Sequence, residues 1–314
     1  MTNIATDSAK KITTTLTLLA ALFSRKLVAG IPFFWLFFFL FLPFIIILKI
    51  SVSESVLSIP PYKELISWSD FGVMNIHLNI SRFYTLFVDP IYQYAYWNSL
   101  KLSFISTIGC LVIGYPLAYF IAQFDGLKRT FFLTLIILPF WTSFLIRIYA
   151  WMGRLSLNGF INKGLIALGL IETPFHLMNT DLAVCIGIIY CYLPFMVLPI
   201  YAILEKQNER LIEAAQDLGA RPFKTFRKIT FPLSLPGVIT GSMLVFIPAL
   251  GEFVIPELLG GAETIVIGKI VWSEFFNNRD WPMAASVAIV LLVVILIPVM
   301  LLQNLTFTDK ENDS

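Results

Sequence analysis

The sequence predicts an all-helical membrane protein with six transmembrane helices, and three observations favour that fold class. Of 314 residues, 58% are apolar and only 13% are charged, whereas about a quarter of the residues in a soluble domain are charged. So few charges cannot cover the surface of a soluble protein of this size. Six apolar stretches are long enough to cross about 30 Å of hydrocarbon, and Lys and Arg are distributed unevenly between them. A soluble enzyme, a disordered chain and a disulfide scaffold are excluded.

The candidate spans follow one another with polar connections between them. The first follows Arg25 and Lys26, as a signal peptide would, but its apolar run is too long and no small-residue cleavage site follows it. We therefore interpret it as a retained helix that starts insertion. Prolines in the fourth and fifth spans are tolerated where neighbouring helices satisfy the freed backbone groups. The six spans cover residues 27–50, 96–121, 131–151, 182–202, 233–258 and 283–302.

Basic residues set the predicted orientation. With the N-terminus inside, the inner segments hold thirteen of the 22 Lys and Arg residues and the longer outer segments hold six. The positive-inside rule therefore places both termini in the cytoplasm. The predicted organisation is a cytoplasmic tail, a first helix, a periplasmic segment, a five-helix core and a second cytoplasmic tail, at 1–26, 27–50, 51–95, 96–302 and 303–314.

The inner loop between the fourth and fifth spans, residues 203–232, has the most informative pattern. Leu211 and Leu218 lie on one face of a predicted short helix. Gly219 is a typical helix stop, and Pro222 can open a second helix. This pattern predicts a compact helix-turn-helix on the cytoplasmic side. A solvated loop with a membrane-surface helix is an equally good interpretation of the pattern alone.

This loop resembles the signature of permease subunits in binding-protein-dependent ABC importers. That signature is Glu-Ala-Ala, three residues, Gly, nine residues, Ile, one residue and a Leu-Pro pair. It is matched here at Glu213, Ala214, Ala215, Gly219, Ile229 and Pro232, with Phe231 where Leu is usual. The resemblance implies that the loop docks into a groove on a cytoplasmic ATPase and transmits its closure to the membrane helices. Glu213, Ala214 and Gly219 would be central to that docking.

Four further segments resemble polyamine importer permeases, the putrescine type more than the spermidine-preferring type. The resemblance implies a type I importer permease of the bacterial inner membrane that pairs with a second, homologous permease. It also implies an ATPase dimer, on which ATP and Mg are bound, and a periplasmic polyamine-binding protein. The chain itself would bind no cofactor and would not be an enzyme. The segments are LPFWTSFLIRIYAWMG (138–153), LPFMVLPIY (193–201), GEFVIPELLGG (251–261) and EFFNNRDWP (274–282).

Acidic and aromatic residues near the outer side are candidates for a cation pathway. A charge at bilayer depth costs about 2.5–3.5 kcal/mol on insertion scales, so it normally faces a pathway or a partner. Carboxylates would pair with the ammonium ends of a polyamine, and aromatic rings would add cation–π contacts of about 0.5–2 kcal/mol. The candidates are Glu252, Glu257, Phe253, Asp280 and Trp281.

The geometry of an ideal helix limits this prediction. A spacing of five residues is about 140°, so Glu252 and Glu257 would not share a face unless Pro256 changes that angle. One glutamate could instead pair with a basic residue such as Arg147 and only stabilise helix packing. Arg147 itself, near the outer end of the third span, is expected to extend towards water.

Other functional classes lack their sequence features. Gly268-Lys269 is the only Gly-Lys pair and no glycine stands five residues before it, so there is no P-loop. The cysteines and the two histidines have no metal-ligand spacing, and a net charge of +2 gives no reason to expect nucleic acid. An ion-coupled secondary transporter would need repeat-related broken helices, and a membrane enzyme would need a catalytic constellation. A permease for another small cationic solute remains an alternative.

Overall fold

The structure is a computed structural model that describes residues 30–68, 74–207 and 209–311. The predicted tail 1–26 and the first residues of the predicted first span lie outside this part. Within it, five helices are long and apolar enough to cross a membrane, and a bent pair gives a sixth crossing if counted as one span. The predicted class, an all-helical multi-pass membrane protein, is confirmed. The long helices are α1 (Gly30–Ser51), α3 (Pro90–Ala122), α7 (Asp181–Leu204), α10 (Phe231–Leu250) and α13 (Trp281–Glu311).

Shorter elements connect the long helices. Two three-residue strands, β1 (Ile66–Trp68) and β2 (Met74–Ile76), pair antiparallel before α2. The shorter helices are α2 (Ser81–Val88), α4 (Gly126–Ile137), α5 (Phe144–Leu155), α6 (Phe160–Ala167), α8 (Glu209–Asp217), α9 (Pro222–Thr225), α11 (Val254–Leu259) and α12 (Ile267–Trp272).

Helices α3, α7 and α10 pack against one another and form the centre of the bundle. Small residues allow this close packing, as is common between membrane helices. A Cβ added at Gly241 of α10 would lie 3.0 Å from the Met196 carbonyl oxygen of α7, and one at Gly114 of α3 would lie 3.0 Å from Met196 Cγ. The backbones of α3 and α10 therefore both approach Met196 closely.

The third predicted span, 131–151, is not one straight helix. Helix α4 passes into a 3₁₀ turn, Leu138–Trp141, and α5 then begins at Phe144, with a bend of 92° between the two halves. Pro139 has no N–H to donate to the preceding turn, which interrupts the helical hydrogen bonds. The Thr142 hydroxyl and N–H both donate to the Pro139 carbonyl, at 2.8 and 3.2 Å, and stabilise the bend.

The fifth predicted span, 233–258, is also interrupted. Helix α10 ends at Leu250, and residues 251–253 separate it from α11. We call residues 251–253 the break. A Cβ added at Gly268 of α12 would lie 2.6 Å from the Glu252 carbonyl oxygen and 2.7 Å from that of Gly251. Helix α12 thus packs directly on the break, and only glycine fits at position 268.

The predicted periplasmic segment, 51–95, packs on the start of α13. The Ser286 hydroxyl donates to the Ser51 carbonyl at 3.0 Å, and Arg82 of α2 forms an ion pair with Asp280. Helix α3 begins at Pro90, inside this segment. Helix α13 extends beyond its predicted span, 283–302, and continues to Glu311 through most of the predicted tail.

The bundle has two ends that differ in their connections. We call the end formed by residues 205–230, where α8 and α9 lie, the loop end. The opposite end, where α3 and α7 begin after Asp89 and Thr180, is the far end.

Candidate functional site

The predicted helix-turn-helix is present at the loop end. Helix α8 is closed by a Schellman motif: the Ala220 N–H donates to the Ala215 carbonyl at 3.0 Å, and the Gly219 N–H donates to the Gln216 carbonyl at 2.8 Å. Gly219 has φ +77°, a left-handed conformation that glycine adopts without strain. Pro222 then occupies the first turn of α9.

The signature residues of this loop are largely exposed. Glu213, Ala214, Gly219 and Pro232 are exposed, while Ala215 and Ile229 are half-buried. Two large apolar side chains beside them, Leu218 and Phe223, are 89% and 75% exposed. Exposed apolar residues grouped in this way are typical of a surface that binds another protein.

The base of the loop is firmly attached to the bundle by aromatic contacts. The ring of Phe226 lies 5.8 Å from those of Tyr115 and Tyr119 on α3, edge-on to both. The hydroxyls of Tyr115 and Ser234 are 2.9 Å apart and hydrogen-bonded, and Gln207 Nε2 donates to the Thr230 carbonyl at 3.1 Å. A displacement of α8 and α9 would therefore be passed to α3 and α10.

Glu252 lies in the break, and three groups donate to its carboxylate. The Tyr192 hydroxyl donates to Oε2 at 2.6 Å. The N–H groups of Val254 and Ile255 donate to Oε1 at 3.0 and 3.4 Å, so the side chain caps α11. Among the described residues, no Lys or Arg lies within ion-pair distance of this carboxylate.

The depth of Glu252 follows from its hydrogen bond to α7. Tyr192 is close to the midpoint of α7, Asp181–Leu204, and so about 17 Å along the helix axis from either end at 1.5 Å per residue. The carboxylate lies within one tyrosine side chain of that midpoint. A charged group at this depth is costly unless it serves a partner or a pathway.

A ladder of aromatic rings leads away from the break. Phe253 stacks on Trp272 with centroids 4.5 Å apart, and Trp272 contacts Phe276 at 4.1 Å. Beyond it, Phe275 stacks in parallel on Trp281 at 4.8 Å. We call the set Phe253, Trp272, Phe276, Phe275, Trp281 and Tyr62 the aromatic ladder, since each ring contacts the next.

The other predicted carboxylates have partners of their own. Glu257 forms an ion pair with Lys269 at 3.1 Å, and its side chain is 60% exposed. Asp280 pairs with Arg82 and also caps α13, accepting from the Met283 N–H at 3.1 Å. Glu252 lies in the break and Glu257 on α11, so the two do not share one continuous helix.

Arg147 does not extend into water, contrary to expectation. It is only 8% exposed, with its guanidinium carbon 5.3 Å and 5.6 Å from the ring centroids of Phe140 and Phe144. The 92° bend places Phe140, in the 3₁₀ turn before it, against the guanidinium of Arg147, on α5 after it.

Residues 14–305 match the family described as "Binding-protein-dependent transport system inner membrane component". The chain belongs to this family of inner membrane permeases. The permease is thus a multi-pass protein of the bacterial inner membrane.

Two relatives extend the comparison. The permease is 40% identical over 270 residues to the spermidine/putrescine transport system permease protein PotB of Haemophilus influenzae, covering 86% of this chain and 90% of that protein. It is 40% identical over 260 residues to the PotB protein of Escherichia coli K12, covering 83% and 90%.

Solved structures agree on the fold. A bacterial ABC transporter chain involved in the import of the acidic polysaccharide alginate matches with a TM-score of 0.66 at 20% identity, covering 91% of the permease and 97% of that chain. The alginate transporter in complex with a pentasaccharide-bound periplasmic protein matches with a TM-score of 0.61 at 21% identity. At these identities the similarity concerns the fold alone.

Some site residues were not predicted from the sequence. Tyr192 lies in an apolar run, after Cys185 and Cys191 and before Pro194 and Pro199. Its hydroxyl group, inside a predicted span, was the one sequence signal of a hydrogen-bond partner. Trp272 precedes the quoted segment 274–282 by two residues. The contact of Tyr192 with Glu252 is not local in sequence, because the two residues are sixty positions apart.

Proposed function

We propose that the permease is the membrane-spanning subunit of an ATP-driven polyamine importer and carries putrescine, with spermidine as the alternative substrate, from periplasm to cytoplasm. The observation that carries this proposal is Glu252, a mid-depth carboxylate without a cationic partner among the described residues. A carboxylate in that position is suited to an ammonium group.

The aromatic ladder supports a cationic substrate. The faces of Phe, Tyr and Trp attract ammonium groups, and the attraction is greater where water is excluded. Trp272 and Phe276 are exposed within the chain, and Phe253, Tyr62 and Trp281 are half-buried. An alkyl diamine would place one ammonium at Glu252 and its methylenes along the rings.

The loop end supports an ATP-driven mechanism. We assign Glu213, Ala214 and Gly219 to docking on a cytoplasmic ATPase dimer that binds ATP and Mg. Because Phe226 joins the loop to α3 and the loop leads directly into α10, closure of the ATPases would move the bundle as a rigid body and change the side to which the pathway opens.

The remaining partners are a second, homologous permease and a periplasmic polyamine-binding protein. The names of the two PotB relatives support the substrate class. The preference for putrescine rests on the resemblance of segment 251–261, which holds Glu252 and Glu257, to putrescine-type permeases.

The test is uptake by the assembled transporter. The permease is reconstituted in liposomes with the second permease, ATPase and binding protein of its own organism, and labelled putrescine is supplied with ATP inside. We expect ATP-dependent uptake that excess spermidine reduces only weakly.

The other outcomes separate the parts of the proposal. Equal competition by spermidine would remove the putrescine preference and keep the polyamine. ATP-driven uptake of another small cation would keep the transporter and overturn the substrate. Uptake without the ATPase would overturn the ATP-driven mechanism and favour ion coupling.

A further inference from the structure

Arg147 is a buried cation without a matching anion. Its Nε and Nη1 atoms are buried and have no hydrogen-bond partner, and no Asp or Glu of the described residues is within ion-pair distance. Two aromatic rings stabilise its charge only in part. An unpaired buried charge is strongly unfavourable, so this arrangement is tolerated best if an acceptor reaches the guanidinium in another state of the transport cycle.

A chain of contacts joins Arg147 to Glu252. The ring of Phe140, which Arg147 faces, lies 5.2 Å from that of Phe195, and Phe195 lies 6.0 Å from Tyr192. Tyr192 donates directly to Glu252.

The backbones that carry the two charges also pack together. Ile148, next to Arg147 on α5, belongs with Cys191 and Ile255 to one fully enclosed apolar cluster. Ile255 follows Glu252 by three residues and donates to its carboxylate. A shift of α5 against α11 would therefore change the separation of the guanidinium and the carboxylate directly.

We propose that Arg147 is a resident cation that exchanges with the ammonium group of the substrate for the carboxylate of Glu252. This inference rests on the proposed function. In the state described here Glu252 is held by Tyr192 and is open to an ammonium, while Arg147 is held apart between aromatic rings. In the alternate state the guanidinium pairs with Glu252 and displaces the substrate.

The exchange would solve a problem of release. A carboxylate that binds an ammonium well inside the membrane also retains it, because little water is available to replace the lost contact. A guanidinium supplies two parallel donors for the carboxylate and remains charged throughout. Arg147 thus acts as a positioning residue for release and does not need to touch the substrate.

The test is a double-substitution cycle in the assembled transporter with Arg147→Gln, Glu252→Gln and both together. Arg147→Gln is expected to lower the KM for putrescine about tenfold and to lower maximal uptake by a similar factor, because bound substrate is no longer displaced. ATP hydrolysis with unliganded binding protein is expected to fall about fivefold, since the paired state loses its ion pair. In the Glu252→Gln background, Arg147→Gln should change none of these three quantities.

The control is Arg154→Gln, on the same helix. Arg154 also lies over an aromatic ring, that of Trp151 at 5.5 Å, but it is exposed, and we expect wild-type KM and hydrolysis. If Arg147→Gln does not assemble, Arg147→Met is used, since its apolar side chain leaves no buried donor unpaired. Removing a buried, unpaired charge should raise the thermal midpoint of the complex, whereas a purely structural role predicts a lower one.

Each outcome is decisive. An equal effect of Arg147→Gln in both backgrounds, or a raised KM, overturns the exchange. A wild type that takes up no polyamine overturns the proposed function, and the hydrolysis measurements then decide the Arg147–Glu252 coupling without any substrate. An unchanged hydrolysis rate in Arg147→Gln also overturns the exchange.

Discussion

The loop end and the break differ in the exposure and contacts of their side chains. At the loop end, Glu213, Leu218 and Phe223 are exposed, and α8 packs mainly on its immediate neighbours α9 and Phe226–Thr230. At the break, Glu252 accepts three hydrogen bonds and α12 presses directly on the backbone. The first region has the exposed apolar side chains that are typical of a surface that binds another protein. The second is an internal site, and in its neighbourhood the buried donors of Arg147 are left without a partner.

The difference indicates how each region tolerates substitution. Changes at the loop end should leave the permease folded and alter its connection to a partner. Changes at the break should alter what passes through the permease. Four predictions test this division, beginning with the largest expected effect.

Glu252→Gln should reduce putrescine uptake by about 10- to 100-fold, because a hydrogen bond to a charged group contributes about 1.5–3 kcal/mol. Glutamine keeps the size of the side chain, and its amide oxygen can accept from the Val254 and Ile255 N–H groups while its NH2 donates to the Tyr192 hydroxyl oxygen, so assembly should be intact. The initial uptake rate in liposomes and co-purification with the ATPase are the measurements.

Glu263→Gln is the matched control, since this exposed carboxylate lies on the connection between α11 and α12. It should transport at the wild-type rate. Normal uptake by Glu252→Gln would show that Glu252 is not part of the pathway. It would also contradict the claim that changes at the break alter what passes through the permease.

Gly219→Asp should lower ATP-coupled uptake about tenfold while the permease remains folded. Aspartate tolerates a positive φ better than most residues, so the strain is small, but it places a charge on the proposed docking surface. The ratio of transported solute to ATP hydrolysed, and retention of the ATPase during purification, are the measurements.

Gly169→Asp serves as the comparison variant. Gly169 has φ +68° and, like Gly219, no atom within 4 Å of an added Cβ, but it lies at the end of α6. Equal losses in both variants would attribute the effect to backbone strain and argue against docking.

Trp272→Leu should raise the KM for putrescine about threefold, because it removes one cation–π contact from the middle of the aromatic ladder. Trp97→Leu is the control, as Trp97 is 68% exposed on α3 and lies outside the ladder. An unchanged KM for Trp272→Leu would show that the rings only pack against one another.

Glu257→Gln should change uptake by less than about twofold, the smallest effect of the four. Its carboxylate is mostly exposed and already paired with Lys269, and exposed ion pairs contribute little. A large loss of uptake would extend the internal site to the far end and make Glu257 part of the pathway.

The sequence predicted the features that depend on local composition. Apolar length identified the spans, and the Glu213–Pro232 pattern identified the loop, because Gly219 and Pro222 act on their own backbone. It did not predict the breaks in the helices at Thr142 and at residues 251–253, since both lie inside spans that are apolar overall. The orientation of Arg147 depends on the first of these breaks, and the partner of Glu252 on the packing of α7.

Helix α10 is continuous with the preceding segment from Pro222 to Leu250, 29 residues in all, or about 43 Å at 1.5 Å per residue. One end follows the turn at Gly219, and the other meets the break. Near its middle, Gly237 and Gly241 contact the backbone of α7 closely, so the long helix can pivot at this point. If a helix of that length tilts by about 5° about its middle, each end moves by about 2 Å. The hydrogen bond from Tyr192 to Glu252 has a donor–acceptor distance of 2.6 Å. It cannot lengthen by that amount and persist, because such bonds weaken beyond about 3 Å. A movement of about 2 Å at the loop end is therefore geometrically sufficient to break the hydrogen bond to Glu252 without any helix having to unwind.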